Sequence, residues 1–194
     1  MRVIDNRPVD RLNRPLRDLR ISVTDRCNFR CTYCMPEEKY HRNFKFLTTE
    51  ERLDFAEIVR LTRLFVATGV RKLRITGGEP LLRPALGDLI GDLRALQGID
   101  EIALTTNGIL LAQHAAGLKA AGLDRVTVSL DAIDKTVFRE MSGGRGGLGR
   151  VFDGINAALE ADLTPVKLNA VVQRGVNDHV VPELLERFRG TGVI

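Results

Sequence analysis

Cys27, Cys31 and Cys34 are the only cysteines of the chain, and they fall at C-x3-C-x2-C spacing within TDRCNFRCTYCMP. Three thiolates on one short loop can ligate a metal group and leave one coordination position open. A four-iron, four-sulfur (4Fe-4S) cube held by three cysteines keeps one iron without a protein ligand, and a small molecule can chelate that iron. A structural zinc site needs a fourth protein ligand, for which His41 is the nearby candidate; the spacing leaves zinc open, although it is not a usual zinc arrangement. A disulfide fits less well. An odd thiol count, no cysteine outside the cluster and no apolar leader read as a reducing cytoplasm.

A second chemical string is Gly77-Gly78-Glu79-Pro80. Glycines allow close backbone approach, and backbone groups unshielded by a Cβ beside one carboxylate can bind a cationic amino group. The same four residues also read as a turn before a helix that starts near Pro84. Gly144 to Gly149 satisfies G-x-G-x-x-G but follows a helical stretch rather than a strand, so it lacks the dinucleotide-binding context and reads as a flexible loop. His41, His114 and His179 are scattered, in keeping with solvated or capping roles.

These residues need elements to position them. LRISVTD reads as a strand running directly into the cysteine loop. The spacing then predicts a helix over 48–68, opened by a Thr48-x-x-Glu51 capping box and stopped at Gly69. Strands are expected over 72–76, 101–106, 125–130 and 166–172. Each is followed by a helical stretch, at 84–96, at 111–121, at 134–141 with 148–161, and at 178–189. Alternating β and α units imply a parallel sheet. Val193 and Ile194 look like the first step of a sixth strand, and a sheet stopping there would leave an unpaired edge.

Along the strands, apolar and polar residues alternate. Leu19, Ile21 and Val23 oppose Arg20, Ser22 and Thr24; Leu73 and Ile75 oppose Arg74 and Thr76; Ile102 and Leu104 oppose Thr105 and Asn107. Val126 and Val128 oppose Thr127, Ser129 and Asp131, while Val166 and Leu168 oppose Lys167 and Asn169. A sheet covered on both faces would show nearly continuous apolar strands. Helices on one side only, joined by right-handed crossovers, curl such a sheet into part of a (β/α) barrel whose polar face lines a lumen. The fold class is therefore α/β, a parallel-stranded partial barrel, incomplete at the C-terminus. Arg20, Arg74 and Lys167 would converge inside it on a polyanionic substrate. An open sheet with its polar face in water is the alternative.

At 194 residues the chain is one domain, long enough to bury about 70% of its unfolded surface. A net charge of +4 and pI near 9.2 suit an anionic ligand. Nucleic acid is disfavoured, because aromatics make up 5% and Trp is absent, which removes base-stacking platforms. No membrane segment is apparent. The Arg-rich start, with Arg2 and Arg7, is interrupted by acids and prolines and does not read as a transit peptide.

With Tyr33 before the last cysteine, and ITGGEP, LTTNG and VSLDA at strand ends, the chain resembles radical S-adenosylmethionine (radical SAM) enzymes. RDLRISVTDRCNFRCTYCMP, RKLRITGGEPLLR and VKLNAVVQRGVND narrow the likeness to the GTP 3′,8-cyclase family of molybdenum cofactor biosynthesis, from about Leu12 onward. The resemblance implies a radical SAM core domain over 1–194. Cys27, Cys31 and Cys34 would be the catalytic cluster ligands, with S-adenosylmethionine on the open iron. Tyr33, Gly78 and Ser129 would contact that cofactor, beside Gly77 and Glu79. Arg20, Arg74, Thr105 and Lys167 would contact GTP. The implied chemistry is reductive cleavage of the cofactor to a 5′-deoxyadenosyl radical, which removes the ribose 3′ hydrogen of GTP so that the carbon radical closes onto guanine C8.

The implied partners are GTP and a reductant, with a homodimer allowed and no nucleic acid or membrane; the implied location is cytoplasmic. Family members carry a C-terminal extension with three further cysteines for a second cluster, a methionine on the sixth strand and a double-glycine tail. None of these is in the sequence, so a fragment or truncated product is expected. Another radical SAM enzyme acting on a peptide or metabolite, and a zinc-stabilised nucleotide-binding module without redox chemistry, are the alternative readings.

Overall fold

The computed structural model describes residues 8–194, so Arg2 and Arg7 of the basic start lie outside the described residues. The elements alternate as the sequence pattern requires: β1 Asp18–Ser22, α1 Phe55–Ala67, β2 Lys72–Thr76, α2 Leu86–Arg94, β3 Glu101–Thr106, α3 Leu111–Ala120, β4 Arg125–Ser129, α4 Lys135–Met141, α5 Leu148–Glu160, β5 Lys167–Asn169 and α6 Val181–Phe188. All strands are parallel and lie in chain order β1-β2-β3-β4-β5. Sequential neighbours with a helix in every crossover form an open (β/α) barrel segment.

The period-two reading of the strands sorts the two faces correctly. Leu73, Ile75, Ile102, Leu104, Val126 and Val128 are buried in one core with Leu89, Ile90 and Leu93 of α2 and Val151, Ile155 and Ala158 of α5. The opposite face is the open one. Arg20, Ser22 and Arg74 on it are exposed, and Thr105, Thr127 and Lys167 are half-buried. The expectation of buried cations is corrected for Arg20 and Arg74, which stand in water that screens them, whereas Thr24 and Thr76 at the carboxyl end of the face are buried.

Two boundaries and the far edge of the sheet differ from expectation. The first helix starts at Phe55, not Thr48. Thr48 N does donate to Glu51 Oε2 at 2.8 Å, but a second box wins. Asp54, held extended, takes the Glu57 N–H on Oδ1 at 2.7 Å and returns its own N–H to Glu57 Oε2 at 2.9 Å. A reciprocal cap contributes about 1 kcal/mol and fixes the first turn after it. β5 ends at Asn169 rather than running to Val172, because Val171 leaves the ladder: its N–H donates to Asp131 Oδ1 at 2.9 Å and its carbonyl accepts from Asn177 Nδ2 at 2.9 Å. Beyond β5 the edge is not bare. Ile194 N donates to Val166 O at 3.0 Å and Leu168 N to Ile194 O at 2.7 Å, the pattern of a parallel neighbour.

Candidate active site

The cysteine loop leaves the carboxyl end of β1 and is tied to the segment after β2. Val23 N donates to Thr76 O at 2.9 Å, Gly78 N to Thr24 O at 2.7 Å and Glu79 N to Arg26 O at 2.7 Å. This lacing explains the glycines. A Cβ on Gly77 would stand 2.6 Å from Thr24 O, and one on Gly78 only 2.2 Å from Arg26 O. The space a side chain would need is already filled by the backbone of the cysteine loop.

Beneath the loop lies Arg30, 8% exposed. Its guanidinium donates to Tyr40 O at 2.9 Å, Cys27 O at 2.8 Å and Phe29 O at 2.7 Å, a fork that ties the first cysteine to the segment after the loop. Cys34 N and Met35 N both donate to Cys31 O at 3.0 Å, so the C-x2-C step is a helical turn. The segment after α4 closes on the same loop. Arg30 N donates to Ser142 O at 3.1 Å, and Gly143, at φ +68°, leaves no room for a Cβ, which would sit 2.2 Å from Arg30 O. Phe29 meets Phe138 edge-on at 6.0 Å.

The three cysteines, Tyr33, Gly77 and Gly78 share a cleft of about 320 Å³ with Arg20, Thr105 and Ser129. A second cleft of about 440 Å³ reaches the cysteines from the other side of the loop, past Tyr40, Phe44 and Phe46. Arg74 and Lys167 do not line the first cleft. They lie on its face by register, Arg74 opposite Arg20 and Lys167 opposite Thr127.

Glu79 is not where a ligand could reach it. At 1% exposure its Oε1 accepts from Thr106 Oγ1 at 2.7 Å and Leu81 N at 3.1 Å, and its Oε2 from Asn107 N at 2.8 Å. The carboxylate expected to meet a cationic amino group is instead a brace between two strand ends.

Two residues without an assigned role in the sequence reading, Asp131 and Asn107, join the site, and a third, Arg125, lies on the same sheet face. Asp131 Oδ2 accepts the Tyr33 phenol at 2.7 Å, tying the cysteine loop to the end of β4. Burial, and then that bond, raises the Tyr33 pKa far above the ordinary tyrosine value. Asn107 Nδ2 donates to Asn28 Oδ1 at 2.7 Å beside Cys27. Arg125, in register with Ala103 on the polar face, pairs with Glu101 at 2.8 Å. Period-two alternation had put Asn107 and Asp131 on the correct face; their partners lie on distant segments and leave no local signal.

The donor set suits a cationic multi-iron group. Burial pushes the Cys31 thiol up to about 12, with Asp131 and the other two thiolates adding to it, and burial raises Cys27 as well. Such thiols become thiolates together only when positive metal charge compensates them. Among the described residues no three His, Cys, Asp or Glu side chains close around a single ion. A cube binds each sulfur at a separate corner iron and does not require that. His41, the fourth ligand of the zinc reading, faces a different cleft and accepts from Asn43 N at 3.2 Å.

The pattern of the Radical SAM superfamily matches residues 21–188. The chain belongs to that superfamily. Its superfamily relatives include the GTP 3′,8-cyclase of Xanthomonas axonopodis pv. citri (strain 306), 53% identical over 94% of this chain and 54% of that protein. The GTP 3′,8-cyclase of Acidothermus cellulolyticus is 53% identical over 95% of this chain and 51% of its own length. The chain thus spans about half the length of the curated relatives it matches. A similar fold is seen in native anSMEcpe with bound AdoMet, at TM-score 0.70 and 19% identity, covering 92% of this chain and 51% of that one; at that identity the likeness concerns the fold alone.

Proposed function

We propose that this chain is the cluster- and triphosphate-binding half of a GTP 3′,8-cyclase, a lyase of molybdenum cofactor biosynthesis that converts GTP to 3′,8-cyclo-7,8-dihydro-GTP. The observation that carries the reading is the layout of one sheet face. The cysteine cleft occupies its carboxyl end and reaches Arg20; Arg74 lies beside Arg20 in register, and Lys167 stands on the same face level with Thr127 and Thr105. A nucleoside triphosphate laid along that face presents its sugar to the cysteines and its phosphates to the cations.

Cys27, Cys31 and Cys34 hold the cluster. When bound, a four-iron, four-sulfur cluster supplies the electron that cleaves S-adenosylmethionine. The chain's own residues do the positioning. Tyr33, kept neutral and tethered to Asp131, and Gly77, Gly78 and Ser129 form the wall against S-adenosylmethionine. Arg20, Arg74 and Lys167 take phosphate oxygens, while Thr105, which lines the cysteine cleft, takes the sugar. Glu79 holds the strand ends that carry Asn107 and the glycines. Binding of both ligands in one orientation supplies the proximity on which the reaction depends.

The remaining half of the relatives' length would enclose the open face, exclude water and carry the second cluster. The reading keeps GTP and a reductant as partners, a cytoplasmic location and an allowed homodimer. Among the described residues no helix is long and apolar enough to cross a membrane.

The test is anaerobic incubation of the iron- and sulfide-reconstituted chain with S-adenosylmethionine, dithionite and GTP. The expected outcome is slow formation of 5′-deoxyadenosine without the cyclised nucleotide, since the face is open to water. Iron content and 5′-deoxyadenosine should both disappear in Cys31→Ala. A reconstituted parent that takes up zinc one-to-one and no iron would overturn the reading.

A further inference from the structure

Residues 37–51 fold over the cysteine loop and enclose a third cleft, of about 910 Å³, outside the barrel face. Phe44 and Phe46 line this cleft on one side and the 440 Å³ cleft containing Cys27, Cys31 and Cys34 on the other. Their rings stand 4.8 Å apart, with Tyr40 4.7 Å from Phe44. One aromatic layer therefore separates the cysteines from the outer cleft.

That outer cleft is strongly basic. Arg26, Arg30, Arg42, Lys45 and Arg145 line it, against the carboxylates of Glu37 and Glu51. Arg30 spends its donors on backbone carbonyls, and Arg145 pairs with Glu37 at 2.6 Å. Arg26, Arg42 and Lys45 are exposed, and among the described residues none of them enters an ion pair. The aromatic faces are not free for stacking bases. The rings pack on one another, and the Arg26 and Arg30 guanidinium groups each lie 5.7 Å from the Phe46 centroid. A single-stranded nucleic acid finds no platform here.

We infer that this basic cleft docks the acidic face of a one-electron carrier protein, which delivers its electron through the Phe44–Phe46 layer. The inference rests on the proposed function, in which each cleavage of S-adenosylmethionine consumes one electron from outside the chain. One electron leaves the carrier's reduced centre, oxidising it by one, and the group held by the cysteines is reduced by one; no bond forms or breaks in the transfer. The carrier is recognised by charge. Exposed cations around an open cleft steer an acidic partner and make the encounter dependent on ionic strength.

The experiment uses an acidic plant-type two-iron ferredoxin as the carrier and two double variants, R42E/K45E and R42K/K45R, both made at exposed positions. Calorimetry on the chain without its cluster measures docking by itself, at low salt and at about 0.5 M salt, where a Debye length of only a few ångströms screens the surface. The parent and R42K/K45R should bind alike at low salt, R42E/K45E at least about tenfold more weakly, and high salt should remove the difference. On the reconstituted chain, bleaching of the visible band by photoreduced ferredoxin should slow in R42E/K45E. Bleaching by reduced methyl viologen, which needs no docking surface, should match the parent. Equal ferredoxin binding by parent and R42E/K45E, or binding indifferent to salt, overturns the inference. A chain that takes up no cluster overturns the proposed function, while the binding arm still decides the docking surface.

Discussion

Asn107 donates its backbone N–H to Glu79 Oε2 at 2.8 Å, joining the residue after β3 to the residue that closes the glycine pair after β2. Through the Asn107 side chain the connection continues to Asn28 Oδ1, and so to the residue beside Cys27. Glu79→Ala leaves three buried donors without an acceptor, each costing about 1–3 kcal/mol. Urea denaturation should show a loss of at least about 2 kcal/mol. Near-parental stability would mean that water replaces the carboxylate.

The same carboxyl gives a pH signature. Burial is the largest influence on it and raises its pKa above the ordinary 4.5, against the opposing pull of its hydrogen bonds. Between the unfolded value and the raised folded one, the folded state keeps a proton that the unfolded state has released. Stability from this group therefore falls as pH rises through that window. Glu79→Gln should remove that component, seen as a changed slope of urea midpoint against pH above about pH 4.5.

Glu101 should behave with the opposite sign. The Arg125 side chain is the main cause holding its pKa below 4.5, with burial opposing. Its contribution is present above the unfolded value and is lost as pH falls through the lower folded one. Arg125→Met should therefore cost stability at neutral pH and flatten the acid limb of the same titration. An unchanged acid limb would show the pair to be energetically silent.

Gly78→Ala tests the lacing of the cysteine loop. The added methyl would fall 2.2 Å from Arg26 O, a backbone atom that can move only with the loop, whereas one on Gly87 meets nothing nearer than 4.0 Å. Gly78→Ala should cost about 1–3 kcal/mol or more and lower iron uptake on reconstitution. Gly87→Ala should be near neutral or slightly stabilising by helix propensity.

Triphosphate selectivity follows from the charges on the open face. GTP should bind the chain more tightly than GMP, and Arg20→Ala, Arg74→Ala and Lys167→Ala should each weaken GTP roughly three- to tenfold by calorimetry. The effect is modest because Arg20 and Arg74 are exposed and screened. Equal binding of GTP and GMP, unaffected by the substitutions, would separate these cations from the phosphates.

What the sequence by itself determined is local or periodic. Cysteine spacing, the alternation that put Arg20, Arg74, Thr105, Ser129 and Lys167 on one face, and the repeated β and α units all follow from neighbours within a few positions, and each holds in the structure. Competition between nearby signals already strained that reading, as when the Asp54–Glu57 box overrode Thr48–Glu51. Tertiary structure alone decided which groups are spent on the protein itself. Glu79 is buried because its three donors arrive from its own turn and from residues at the end of β3. Gly78 is a glycine because the cysteine loop occupies its side-chain space. The basic cleft exists because residues 37–51 fold back over the cysteine loop and set Phe44 and Phe46 between the two clefts. Contacts between segments distant in sequence leave no period or spacing behind, so only the folded chain shows them.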